Sequence, residues 1–209
     1  MAQIARYDEL NTAVLRELPA GANPADLAAA LSTAGRRFFK DTKVWEQDIG
    51  PFNLVADQED YVLTAGWDAT IHQIQAVRLN DAAGVTAGTL GILQNLDNID
   101  YNPANATLTL PLAPTTAVTS GLEFRAILVP TLRSEELPQD LLNSFADGIV
   151  WGAVAYLTGS KAHPARYDAE TFARASREYR SEVGKAVRLV AGAYMQGNIQ
   201  IRPKWGFIE

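Results

Sequence analysis

The chain has 209 residues, a formal net charge of −6 and no cysteine. Its length suffices for a buried core, as one domain with a large insertion or as two small domains. The missing thiol excludes disulfide staples, thiolate chemistry and a cysteine-based zinc site. No apolar run approaches the roughly 18 residues that a membrane span needs.

The opening segment MAQIARYDEL lacks the apolar centre of a signal peptide, so the chain is expected to be made in a cytosol. Residues 5–18 read as a first helix, with Tyr7, Leu10, Val14 and Leu18 on one face. Pro19 to Ala22 breaks it. Asn23-Pro24 then supplies an N-cap and a proline at the first helical position, opening a helix over 24–41. Leu27, Leu31, Ala34 and Phe38 recur on its inner face, behind the helix-favouring run Ala28 to Ala30. The period changes at Val44 and Trp45, and Gly50-Pro51 cannot continue a helix.

Residues 44–132 read as strands. Tyr61 to Thr64 is one. Ile71 to Leu79 is apolar on both faces and is expected to be a central strand. Thr89 to Leu96 is a weak strand interrupted by Gly91. Thr107 to Leu110 is short, and Leu122 to Val129 is strong and ends at Pro130. Asn, Asp, Gly and Pro clusters between these runs indicate an antiparallel sandwich or small barrel. This segment carries only Arg78 and Arg125 against ten acids, which argues against a grip on nucleic-acid phosphates there.

Leu137-Pro138 returns the chain to helix over 138–159, with Leu141, Phe145, Ile149, Gly152, Ala153 and Tyr156 on one face. The longest helix comes next, over 168–195, with Phe172, Ala175, Tyr179, Val183, Ala186, Val190 and Tyr194 in register. Arg174, Arg177, Lys185 and Arg188 decorate its other sides. One reading of them is intrahelical pairing, Arg174 with Glu178 and Glu182 with Lys185. The expected fold is therefore α+β: a helical bundle from residues 1–43 and 133–209, interrupted by an antiparallel β-rich module over 44–132. The last segment, 198–209, carries Ile199, Ile201, Trp205, Phe207 and Ile208, apolar content that needs a surface to bury against.

A search for chemistry returns little. His72 and His163 belong to no metal-ligand spacing, and no phosphate loop, nucleophile elbow or dinucleotide fingerprint occurs. The acids and amides around Asp97 and Asp100 lack the central glycine and closing glutamate of a calcium loop. No cofactor, no metal and no catalytic residue is assigned.

Two sets of residues carry a family resemblance. The first lies at the end of the helix over 24–41 and in the strands after it: Arg36 or Arg37, Phe38 or Phe39, Thr42, Trp45, Glu46, Asp60, Tyr61 and Leu63. The second is Leu137, Pro138 and Leu141, then Trp151, Gly152, Ala153, Ala155 and Leu157, then His163-Pro164, Phe172 and Tyr179, with the tail to Phe207. In this order they resemble the head-to-tail adaptors of tailed bacteriophages, the family that includes podophage tail tubular protein A. The loop after Leu157 is shorter here than is common in such proteins, so loop contacts are not carried over. The resemblance implies a non-enzymatic ring, a dodecamer, that docks beneath the portal protein. Such a ring receives a tail nozzle or tail tube protein and lets double-stranded DNA pass, without contact with a membrane. The resemblance thereby makes Arg174, Arg177, Lys185 and Arg188 candidate residues facing DNA in a channel, against the competing reading of intrahelical pairing. It implies a place in the virion neck after synthesis in the host bacterial cytoplasm. The alternatives are a carbohydrate-binding β-module on a helical base, or a tail-associated glycan-degrading enzyme. The enzyme would need aromatic platforms and two acids about 5 to 9 Å apart.

Overall fold

The structure is a computed structural model that describes residues 3–19, 22–66, 68–79, 100–110, 113–159 and 167–196. The fold is mixed α+β, with four α-helices and antiparallel sheets among the described residues. It divides into two compact units. One comprises Met1–Trp45, Trp67–Ala69 and Val129–Glu209; the other comprises Glu46–Gly66 and Thr70–Leu128.

The helical unit holds α1 (Asn11–Glu17), α2 (Pro24–Thr42), α3 (Gln139–Gly159) and α4 (Ala169–Gln196). Helix α3 packs between α2 and α4, and α1 packs on α3. Asn23 caps α2 through its side-chain oxygen, which accepts the Asp26 amide at 2.8 Å, and Lys43 ends that helix in a left-handed conformation, φ 56°. The core is an aromatic cluster. Phe38 meets Phe39 edge-on at 5.9 Å, Phe145 at 5.6 Å and Tyr179 at 6.2 Å; Phe39 meets Trp45 at 5.7 Å. Such geometry adds about 0.5–1.5 kcal/mol per pair beyond area burial. A Cβ on Gly148 would collide with the Phe38 ring, and one on Gly152 would press Ala34 and Tyr179, so these two positions let the helices approach closely.

Three expectations for this unit are corrected. The first helix does not span 5–18. Ile4–Arg6 is a strand (β1), Tyr7–Leu10 is a 3₁₀ turn, and the α-helix starts at Asn11. Likewise Glu136–Pro138 is a strand (β8), and the helix begins one residue later than expected. The two strands pair antiparallel, Ala5 opposite Leu137, and both of those side chains are fully buried. Third, α3 is kinked at Phe145, φ −126° and ψ 16°. The inner face therefore includes Leu142, Val150, Val154 and Leu157, and leaves Tyr156 half exposed. Phe172 on α4 is also 40% exposed.

The second unit contains a three-stranded sheet in the order β2 (Glu46–Leu54), β7 (Val118–Pro130), β4 (Ala69–Leu79). A second sheet has the order β3 (Asp60–Val62), β6 (Thr107–Thr109), β5 (Asp100–Asn102). The central strand is β7, where Leu122, Phe124 and Ala126 to Leu128 are buried. Among the described residues β4 lies at an edge, contrary to the reading of Ile71 to Leu79 as central; a run apolar on both faces does not distinguish the two positions. Strand β2 carries Gly50-Pro51, and a proline that cannot donate to a ladder belongs at such an edge. Phe52 stacks on Phe124 at 5.6 Å, and Asp48 pairs with Arg125 across the ladder at 2.9 Å. The expected strand over 89–96 lies outside the described residues.

Candidate functional site

The surface that bears the candidate residues is the outer side of α4. Asp168 starts that helix. Its carboxylate accepts the Glu170 amide at 3.0 Å, the Thr171 amide at 3.2 Å and the Thr171 hydroxyl at 2.9 Å. These bonds, the Thr171 hydroxyl foremost, hold the Asp168 carboxyl below its ordinary range, because they favour the ionised form. They also satisfy amides that have no partner inside the helix. Ala175, Tyr179 and Ala186 then bury one stripe of α4.

The four basic candidates are not equivalent. Arg174 pairs with Glu17 of α1 at 3.0 Å, and its guanidinium lies over the Trp151 ring of α3, 5.6 Å from the centroid. The expected pairing of Arg174 with Glu178 is therefore replaced by a longer-range one, because the Trp151 face and the Glu17 carboxylate hold the guanidinium away from its own helix. Lys185 donates to Glu182, as the spacing suggested, and that carboxylate raises the pKa of the amine. Arg177 and Arg188 are exposed and form no ion pair among the described residues. They lie about three turns apart on one side of α4. Four nominal cations thus reduce to two free ones.

One constellation carried no signal strong enough to be singled out from sequence. Tyr179 of α4 donates its phenol to Asp41 of α2 at 2.9 Å. Arg37 pairs with the same carboxylate at 3.6 Å and lies over the Tyr179 ring at 5.3 Å. Burial, and then the Asp41 hydrogen bond, push the phenol above its ordinary pKa. The i,i+4 spacing of Arg37 and Asp41 was visible, but their meeting with Tyr179 depends on how α2 and α4 pack.

In the second unit, β3, β6 and β5 place Asp60, Thr109 and Asp100 in one row, with the Thr109 hydroxyl donating to Asp60 at 2.6 Å. Val62, Thr107 and Asn102 form the next row on that face. Tyr61 and Tyr101 stand on the opposite face with buried Leu108, so the two acids have no aromatic platform from their own strands.

Among the described residues, no group of three or more His, Asp or Glu side chains could hold a metal ion, and no helix is long and apolar enough to cross a membrane. The anchors Ile199, Ile201, Trp205, Phe207 and Ile208 lie outside the described residues, as does His163. No protein-family model matches this sequence, and no curated protein matches it significantly.

Proposed function

We propose that this chain is a structural head-to-tail adaptor of a tailed bacteriophage. In this reading it forms a ring, twelve copies in the related systems, beneath the portal protein. The ring joins the capsid to a tail nozzle or tail tube protein and gives passage to double-stranded DNA. The activity is binding by complementary surfaces, without catalysis. One observation carries the proposal. The two sets of residues behind the family resemblance are far apart in the chain, yet Phe38, Phe39 and Trp45 from the first share one helical unit with Leu137, Gly152 and Tyr179 from the second, while Glu46, Asp60, Tyr61 and Leu63 of the first fall in the other unit. The helical part of the resemblance thus draws on one core, which supports the reading.

The apolar tail, with Trp205 and Phe207 as its anchors, is the segment proposed to hold a neighbouring copy or the portal. The test is negative-stain imaging of the protein mixed with the portal protein of its phage, using full-length chain and a truncation after Gln196. Full-length protein should add a ring to the portal, and the truncated protein should keep its melting temperature while losing that ring. Absence of a ring with the full-length chain would overturn the adaptor reading. A truncation that assembles normally, or that melts markedly lower, would overturn the role given to the tail.

A further inference from the structure

The ribbon formed by β1 and β8 has one closed edge and one open edge. Gln139 donates its amide to Gln3 at 2.9 Å, and Tyr7 donates to Glu135 at 3.0 Å, so the odd-numbered residues of β1 point their backbone groups at β8. By alternation the even-numbered residues point away. On the outer side of β8, Pro138 has no amide to offer, and the Glu136 carbonyl already accepts the Ser134 hydroxyl at 2.8 Å. On the outer side of β1, the Arg6 amide is taken by the Glu9 carboxylate at 3.1 Å. The Ile4 amide and carbonyl have no backbone partner among the described residues, and the Ile4 side chain is 53% exposed. An unpaired strand edge beside an exposed aliphatic side chain is a template for another strand.

From this edge we infer that β1 accepts residues 199–202 of a second copy of the chain as a third strand. The inference rests on the adaptor reading and deepens it, by naming where the tail goes. Three observations favour this occupant. The first is charge: exposed Asp8, Glu9, Glu135 and Glu136 surround the ribbon and outnumber Arg6 and Arg133, whereas the tail carries Arg202 and Lys204. The second is pattern: Ile199 and Ile201 alternate as a strand requires, and Pro203 stops the ladder after a length that suits so short an acceptor. The third is placement. Gly159 of α3 lies against Phe172 of α4, and Gly152 against Tyr179, so the two helices run antiparallel. The chain therefore leaves α4 at the end of the helical unit where β8 enters α3. Each copy would present a donor segment and a separate acceptor edge, which makes a heterologous contact, the kind that closes into rings.

The absence of cysteine makes a direct test available. Ile4→Cys protein is mixed with Ile199→Cys, Gln200→Cys or Ile201→Cys protein and oxidised at high protein concentration. Paired strands bring Cα atoms about 4.5–5.5 Å apart, within disulfide reach. At least one mixture should give cross-linked dimer about tenfold above a control mixture with Tyr156→Cys, an exposed position near the end of α3 remote from β8. A chain carrying both substitutions that closes on itself, with no dimer in the mixtures, would place the tail on its own ribbon and overturn the inference. Cross-linking no better than the control would also overturn it. Imaging of the unmodified protein on the portal separates the two readings: rings without the cross-link sink the strand addition alone, and a cross-link without rings sinks the adaptor reading while strand exchange between copies stands.

Discussion

The Tyr179 phenol donates to the Asp41 carboxylate at 2.9 Å and so ties the longest helix to α2, across a contact on which the sequence is silent. Tyr179 is 7% exposed, and its ring also meets Phe38, so the bond sits at the border of the aromatic core. Tyr179→Phe keeps the ring and removes the donor. Asp41 retains Arg37 at 3.6 Å, so its charge is not stranded. The expected cost is about 1–2 kcal/mol, read as a lower urea midpoint at unchanged slope. A variant as stable as the parent would show that the bond contributes nothing net.

The same phenol makes the fold sensitive to alkali. Burial raises the pKa of Tyr179, and the Asp41 hydrogen bond adds to it; burial also raises that of Tyr7, whose hydroxyl has no hydrogen-bond partner among the described residues. A folded-state pKa above the unfolded value of about 10 means that unfolding favours loss of the proton. The stability these groups contribute is whole below about pH 10 and is lost as the pH rises beyond it. Melting temperature should therefore hold flat up to about pH 10 and then fall. In Tyr179→Phe the fall should be shallower; an equally steep fall would leave Tyr179 out of it.

Gly148 offers a cleaner test of close helix approach. A methyl at this position would run into the Phe38 ring, whereas at Gly192 of α4 nothing among the described residues lies within 4 Å of an added Cβ. Gly148→Ala should cost about 1–3 kcal/mol through overpacking. Gly192→Ala should be neutral or stabilise by up to about 1 kcal/mol, since alanine restricts the unfolded chain and favours helix. If the two substitutions behaved alike in thermal melts, the packing account of Gly148 would fail.

Legibility depended on length and locality. The Asn23 cap, the stripe from Leu27 to Phe38 and the strong strand ending at Pro130 were readable, because each rests on several neighbouring residues with one period. The ribbon of β1 and β8 was not. Each strand has three residues, too few for a period of two to stand out, and they pair across most of the chain. The kink at Phe145 and the exposure of Tyr156 were hidden for a related reason: a 3.6-residue pattern presumes an unbroken helix. On the candidate surface, the type and spacing of the basic residues were legible. Their partners were not, because Glu17 and Trp151 reach Arg174 only through packing of α1 and α3.

That distinction among the basic residues yields the last prediction. Arg174 is held by a carboxylate and an aromatic face, whereas Arg177 and Arg188 are held by neither among the described residues. Arg174→Ala should lower stability by about 1 kcal/mol, the sum of a half-exposed ion pair and a cation–π contact. Arg177→Ala and Arg188→Ala should stay within about 0.5 kcal/mol of the parent, as surface changes do. If these two free guanidinium groups face DNA in a channel, removing both should weaken binding of the assembled ring to duplex DNA at low salt. It should also make the slope of log affinity against log salt shallower by up to about 2, one for each phosphate that an arginine had neutralised. An unchanged slope would remove DNA from their role, leaving them as solvating charges on the outer face of α4. A large loss of stability in Arg177→Ala or Arg188→Ala would instead mean that these side chains are held in place within the fold, against their exposed, unpaired arrangement on α4.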